Sequence, residues 1–283
     1  MSGLRAVLRG VGLWTAGAPS FGAWVEAGMP DDLCVNRGAG SGDDGAKPPA
    51  ERLHPRLRRR TSTLTRAALT AIDAAAEQGG ADVSTARYVL VSSFGEIETT
   101  VDLLAQLAEP GGPVSPTKFH NSVHNTATGY LSIATGNHHS ATALAGGPAA
   151  VEVALLEALA GLLEGHTGAG GSRDTLLVFA EERLPAPFDR ADGDPTFAVA
   201  LHLSTIGDGL ELALVPVEDD AAHESWAGPR ERLGSTVGAL LPLLRAVADF
   251  AAGRSGAQSF AQSFALVAPG ERGSWRATVR ERS

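Results

Sequence analysis

The stretch SPTKFHNSVHNTATGYLSIATGNHHSATALAGGPAAVEVALLEALAGLLEG, Ser115–Gly165, decides the fold. Its last third, Pro148–Glu164, is apolar almost all round, the pattern of a helix buried at the centre of a structure. Pro148 suits the first position of that helix, where a missing N–H costs nothing. Just before it, Ser140–Ala145 reads as a short strand. The turn between them, Ala145–Pro148 (AGGP), has the glycines of a phosphate-binding loop. It lacks the lysine and the wider spacing of one, so it reads as a plain tight turn. Upstream, Thr117–Thr135 is expected to be helical in its second half.

Outward from that stretch, strands alternate with helices. Arg5–Trp14, Arg87–Ser93 and Thr175–Ala180 read as strands, the last two as short buried ones. Ser62–Gln78 is helical and stops at Gly79–Gly80, and Glu96–Ala108 is helical and stops at Pro110–Gly111. Thr15–Ala50 reads as a long loop with one short helix at Phe21–Ala27. Thr196–Ser204 and Leu210–Val215 look like a pair of strands joined at Gly207–Gly209. A long helix over Arg232–Ala252 and a hairpin of Phe264–Val267 with Trp275–Val279 follow. The alternation predicts an α/β fold with a mainly parallel, five-stranded sheet, a buried central helix and covering helices. A short C-terminal helix and hairpin complete it.

Bulk properties narrow the function classes. The 283 residues are 43% hydrophobic and 19% charged, an ordinary globular balance. A formal charge of −9 argues against a general nucleic-acid binder. The basic stretch Arg52–Arg60 carries no interleaved aromatics and reads as a solvated lead-in to a helix. The one cysteine, Cys34, excludes an intramolecular disulfide and fits a reducing, cytoplasmic setting. No signal peptide or membrane span is expected.

The segment SPTKFHNSVHN, Ser115–Asn125, with GYLSIATG, Gly129–Gly136, resembles the thiolase-like β-ketoacyl synthases. It is most similar to the short, chain-length-factor-like proteins of aryl-polyene-type fatty acid and polyketide pathways. The resemblance covers roughly residues 1–216. It implies a ketoacyl-synthase-like N-terminal domain there, with 217–283 as a C-terminal helix and hairpin on the same domain. In a synthase the nucleophile is a cysteine at the start of the central helix, where dipole and free N–H groups favour thiolate. Here that position falls on Pro148, or on Leu144 in a gapped reading, and no cysteine lies between Val35 and Ser283. The residues after Pro216 are too few for the half that carries the family's two catalytic histidines. His166, in GHTGAGG (Gly165–Gly171), falls straight after the central helix and reads as an exposed loop histidine.

The resemblance therefore implies no catalytic residue, no cofactor and a non-catalytic partner subunit. Such a subunit heterodimerises with an active ketosynthase through the edge strand, here Ala141, Thr142 and Ala143. Ser115–Thr135 reaches toward the partner's acyl tunnel, with Phe119, His120, Asn121, His124, Asn125 and Tyr130 at or near the interface. Acyl carrier protein is then met through the partner, and no nucleic acid or membrane is involved. Three other chemistries have weaker support. His120 and His124 are four apart, as metal ligands on one helix face would be, with His138 and His139 nearby, but no third ligand or adjacent Glu is present. His124 and Asn125 read better as buried side chains bonded to backbone. A stand-alone acyl-thioester transferase or hydrolase without the usual cysteine is the enzyme alternative, and a Ser-His hydrolase would use Ser92 or Ser93 with His124, without a GxSxG elbow. A carrier-docking module is disfavoured because carrier proteins are acidic and so is this chain.

Overall fold

A computed structural model describes residues 3–31, 33, 47–111, 113–145, 150–167, 172–188, 195–217, 236–253, 260–268 and 271–281. In chain order the elements are β1 (Leu4–Thr15), α1 (Phe21–Glu26), α2 (Pro55–Arg58), α3 (Thr63–Gly79), β2 (Arg87–Val91) and α4 (Ile97–Ala108). Next come α5 (Pro116–Asn121), α6 (Thr126–Thr135), β3 (Ala141–Leu144), α7 (Ala150–Thr167) and β4 (Asp174–Glu181). β5 (Phe197–Ser204), β6 (Leu210–Val217), α8 (Thr236–Ala251), β7 (Phe260–Ala268) and β8 (Glu271–Glu281) follow. Cys34 and Pro148 lie outside the described residues. No described helix is long and apolar enough to cross a membrane.

The strands form one sheet in the order β3-β2-β4-β5-β1-β6-β8-β7. The α/β fold class holds, but the sheet is wider than five strands and mixed. Only β2–β3 and β2–β4 pair in parallel among the described strands. Those are the pairings with helical crossovers between them, α4–α6 before β3 and α7 before β4, as parallel neighbours require. β5 and β6 are not partners. β1 lies between them, antiparallel to both, with Leu13 opposite Val199 and Leu4 opposite Leu214. The C-terminal hairpin is longer than its apolar pattern suggested and extends the sheet through β8 against β6.

Both faces of the central strands are covered, which explains their unbroken apolar runs. On one face Val89, Val91, Leu177, Phe179, Val199 and Leu201 pack under α7 and α8. On the other, Tyr88, Leu90, Leu176, Val178 and Ala200 pack under α3 and α6. α3 is set by its ends: Ser62 accepts from Thr65 N at 3.0 Å, and Gly80 closes it in the left-handed conformation. Its small face meets Gly10 and Gly12 of β1 so closely that a Cβ on Gly12 would strike the carbonyl of Ala71. α7 is less enclosed than its composition suggested. It buries Ala154, Leu155, Ala158, Leu159 and Leu162 against the sheet, while Leu163 is 46% exposed. Among the described helices α8 packs beside it. His166 falls within α7, not in a loop, because that helix runs on to Thr167.

One polar tie joins β2, β3 and α7. The Arg87 guanidinium donates to the Glu157 carbonyl at 3.1 Å and pairs with its carboxylate, which also accepts from Thr142 Oγ1 at 3.2 Å. Gly161 leaves room for the guanidinium; a Cβ there would overlap it. Gly161→Ala is expected to displace Arg87 and lower stability by about 1–3 kcal/mol, the cost of a partly buried charge losing its partner. Thermal melts check this, and adding Arg87→Ala should cost little more.

Candidate functional site

The carboxyl ends of β2, β3 and β4 open onto one edge of the sheet, the usual place for a site in an α/β fold. β2 ends in the turn Ser92–Gly95, where Gly95 holds φ +61°. A Cβ on Gly95 would come within 2.8 Å of His124 Nδ1. The His124 ring therefore wedges between this turn and the end of β3, where its Nε2 lies 2.9 Å from the Leu144 carbonyl. A carbonyl only accepts, so Nε2 carries the proton. Leu144, one of the two positions expected from the sequence to match the synthase cysteine, is the half-buried last residue of β3. The other, Pro148, is not among the described residues.

A cluster of three buried carboxyl groups sits beside that turn. Glu181 ends β4 and accepts from Ser92 Oγ (3.0 Å), Ser93 N (2.6 Å) and Thr236 Oγ1 of α8 (3.2 Å). Glu182 accepts from Leu64 N at the start of α3 (3.3 Å) and Glu98 N at the start of α4 (3.1 Å), capping both helices. Glu96 accepts from Thr65 Oγ1 at 2.6 Å, and its other oxygen has no protein partner. Burial is the first cause of a raised pKa in all three. Glu182, with the Glu96 carboxyl nearby, is pushed up to about 8. Desolvation outweighs the donated N–H groups here. The cluster joins α3, α4, β4 and α8 at one point.

This geometry takes up the groups a hydrolase would use. Ser92 is fully buried, donating to Glu181 and accepting from Gly95 N at 2.8 Å. His124 is held by Leu144 and is not bonded to Ser92. His120 and His124 do not share a helix face, because α5 ends at Asn121 and His124 lies in the following turn. Among the described residues no group of three or more His, Cys, Asp or Glu is placed to hold a metal ion.

The segment expected to face a partner divides in two. Phe119 (62% exposed), His120, Val123, Asn125 and Ile133 (66%) point outward, and α4, which packs on α5, also exposes Leu104 and Leu107. Asn125 is thus solvent-facing, contrary to the expectation that it is buried. Asn121 and Tyr130 turn inward. Asn121 donates to the Arg60 carbonyl at 2.6 Å and accepts from Tyr130 OH at 3.0 Å, which fixes the Tyr130 ring that His120 meets edge-on. β3 divides the same way. Tyr88 N donates to Ser140 O and Ser92 N to Leu144 O. In a parallel ladder both peptide groups of alternate residues share a side. The peptide groups of Ala141 and Ala143 therefore face away from the sheet, and those of Thr142 face β2. The buried acids were missed because each looks like a surface residue in sequence. The one available signal was the pair Glu181–Glu182 directly after a wholly apolar strand.

The comparisons agree with this architecture. Residues 36–249 match the family described as β-ketoacyl synthase, N-terminal domain. No curated protein matches the chain in sequence. Among solved structures, a ketosynthase (ApeO) in complex with its chain length factor (ApeC) from Xenorhabdus doucetiae is similar at 21% identity and TM-score 0.65, covering 97% of this chain and 99% of that one. The ishigamide ketosynthase/chain length factor gives 19% identity and TM-score 0.66 over 98% and 99%. A β-ketoacyl synthase from Burkholderia phymatum STM815 gives 14% and 0.64 over 99% and 100%. At these identities the likeness is one of fold, while the family match spans most of the sequence: the chain belongs to the β-ketoacyl synthase N-terminal domain family.

Proposed function

We propose that this chain is a non-catalytic, chain-length-factor-like subunit. It pairs with an active β-ketoacyl-acyl-carrier-protein synthase and shapes that enzyme's acyl tunnel, in type II fatty acid or polyketide synthesis of the aryl-polyene kind. The observation that carries the reading is the open β3 edge. Its outward peptide groups at Ala141 and Ala143 are unpaired by any described strand, and the α5–α6 segment that leads into it exposes Phe119, Val123 and Ile133. An edge with free N–H and C=O groups, next to apolar side chains in water, is built for a partner strand. Two of the similar structures are of a ketosynthase with a chain length factor, which supports the pairing by analogy. In this reading residues 1–216 form the ketosynthase-like unit, and 217–283 add a helix and hairpin to it. The site supplies steric limits and no nucleophile. Phe119 and His120 line the partner's tunnel, while Asn121 and Tyr130 brace them from behind.

The test is co-expression with ketosynthases, followed by co-purification and product analysis. Co-elution is expected, and Phe119→Ala should shift the products toward longer chains. A chain that co-purifies with no ketosynthase, or one that turns over acyl and malonyl carrier proteins alone, would sink the reading.

A further inference from the structure

α4 is held to the fold by very little. Of its twelve residues only Leu103 is buried, while Leu104 and Leu107 are 58% and 59% exposed. Its chief neighbour among the described elements is α5, itself six residues long with only Asn121 buried. The Lys118–Asp102 pair that joins the two helices at 2.9 Å is exposed and adds little. The firm attachment is at the foot of the helix. There Glu98 N donates to Glu182 at 3.1 Å, and Glu96, just before α4, accepts from Thr65 Oγ1 of α3 at 2.6 Å. A helix with few buried apolar contacts opens at low cost once its anchor is lost.

That anchor is built from acids. Glu182 is faced by Glu96 and Glu98 on the α4 side, and α3 presents to it only the Leu64 N–H. α3 sets the Ser62 and Thr65 hydroxyls by Glu96, whose second oxygen has no protein partner. Glu181, on β4, is taken up by Ser92, Ser93 and Thr236 of α8. His124, wedged against Gly95, bonds to Leu144 instead. No Arg, Lys or His among the described residues pairs with Glu96, Glu181 or Glu182. Once ionised, these carboxylates would share a space with no cation and little water. We infer that α4 is a pH-sensitive flap: loss of the proton held among the acids at its foot frees the helix, while α3 and the sheet stay in place. α4 is the element that yields, because α3 buries ten of its seventeen residues and α4 one of twelve. Opening brings water to the carboxylates. With the flap closed Glu182 titrates near 8; in water it returns to the ordinary 4.5. The closed form is therefore fully favoured below about 4.5. Between the two values each pH unit favours opening about tenfold more, and above about 8 the gain stops.

The flap does not depend on the use of β3. Its consequence for pairing, through α5 and Phe119, rests on the function proposed above. The test is hydrogen exchange of the purified full chain, read by mass spectrometry at about pH 5.5 and pH 7.5 and corrected for the intrinsic effect of pH. Protection of the α4 amides should fall by about a hundredfold over those two units. Urea below the unfolding transition should speed exchange in α3 and leave α4 unchanged, because a local opening exposes little surface. Glu182→Gln should remove most of the pH dependence of α4. Asp102→Ala, which only loosens the tie to Lys118, should raise α4 exchange equally at both pH values. α4 amides that exchange as slowly as those of α3, protection in the unaltered chain that ignores pH, or a full pH dependence kept by Glu182→Gln would each overturn the inference. A chain that binds no ketosynthase overturns the proposed function and leaves these exchange results as they stand.

Discussion

Ala143→Pro is expected to abolish pairing with a ketosynthase while leaving this chain folded. The Ala143 N–H points away from β2, so proline removes no bond of the existing sheet. The preceding Thr142 is already extended, as proline requires. What is lost is the outward donor a partner strand would use. The ring also projects into the space that strand would occupy. A partner carbonyl left unsatisfied costs about 1–3 kcal/mol, and each 1.4 kcal/mol is about tenfold in affinity. With the steric clash added, the dissociation constant should rise by about a hundredfold or more. Titration of the purified partner and an unchanged melting temperature for the variant alone are the measurements. Thr142→Pro is the contrast: its peptide group faces β2, so that variant should lose stability first.

Glu182→Gln is expected to reverse the order of stability between acid and alkaline conditions. An ordinary glutamate titrates at 4.5, and Glu182 in the folded chain near 8. The folded state therefore favours the protonated form. That contribution is complete below about 4.5 and is lost as pH rises toward about 8. The difference is on the order of 4 kcal/mol at the alkaline end, at about 1.4 kcal/mol per pH unit. Glutamine keeps one acceptor for the two amides of Leu64 and Glu98 and turns its own N–H toward the other, a loss of about 1 kcal/mol or a little more. The variant should melt below the unaltered protein near pH 5 and above it near pH 8. Melting curves across that range decide it; parallel curves would show that Glu182 does not titrate there. Some slope should survive in the variant, because burial raises Glu96 and Glu181 in the same direction.

Much of the fold could be read from local pattern. The unbroken apolar runs of β2 and β4, the Ser62 and Gly80 caps of α3, the β3 strand and the α7 helix all rest on short-range physics. The sheet order did not follow, because an apolar strand reports that it is buried and not which strands flank it. β5 and β6, five residues apart, looked like a hairpin, yet β1 from far upstream separates them. The site shows the same limit. SPTKFHNSVHN pointed to the right surface, but which side chains face out depends on where α5 ends. Asn121 and Tyr130, nine residues apart, are turned in by their bond to each other. The buried acids draw on residues 65, 96, 181, 182 and 236, which only the tertiary fold brings together.

The place of β1 bears on how the chain is made. Its partners across the sheet, Phe197–Ser204 and Leu210–Leu214, are synthesised some 180 or more residues later. At about 5–20 residues per second, ribosomal synthesis leaves it waiting roughly 10–40 s for a neighbour. During that time an apolar segment, with two glycines kept bare for α3, has only that helix to lean on. Loop closure over such a separation is slow, so native pairing of β1 is expected to come late in folding. One of the two central strands of the finished sheet is therefore the one a chaperone has the longest opportunity to hold.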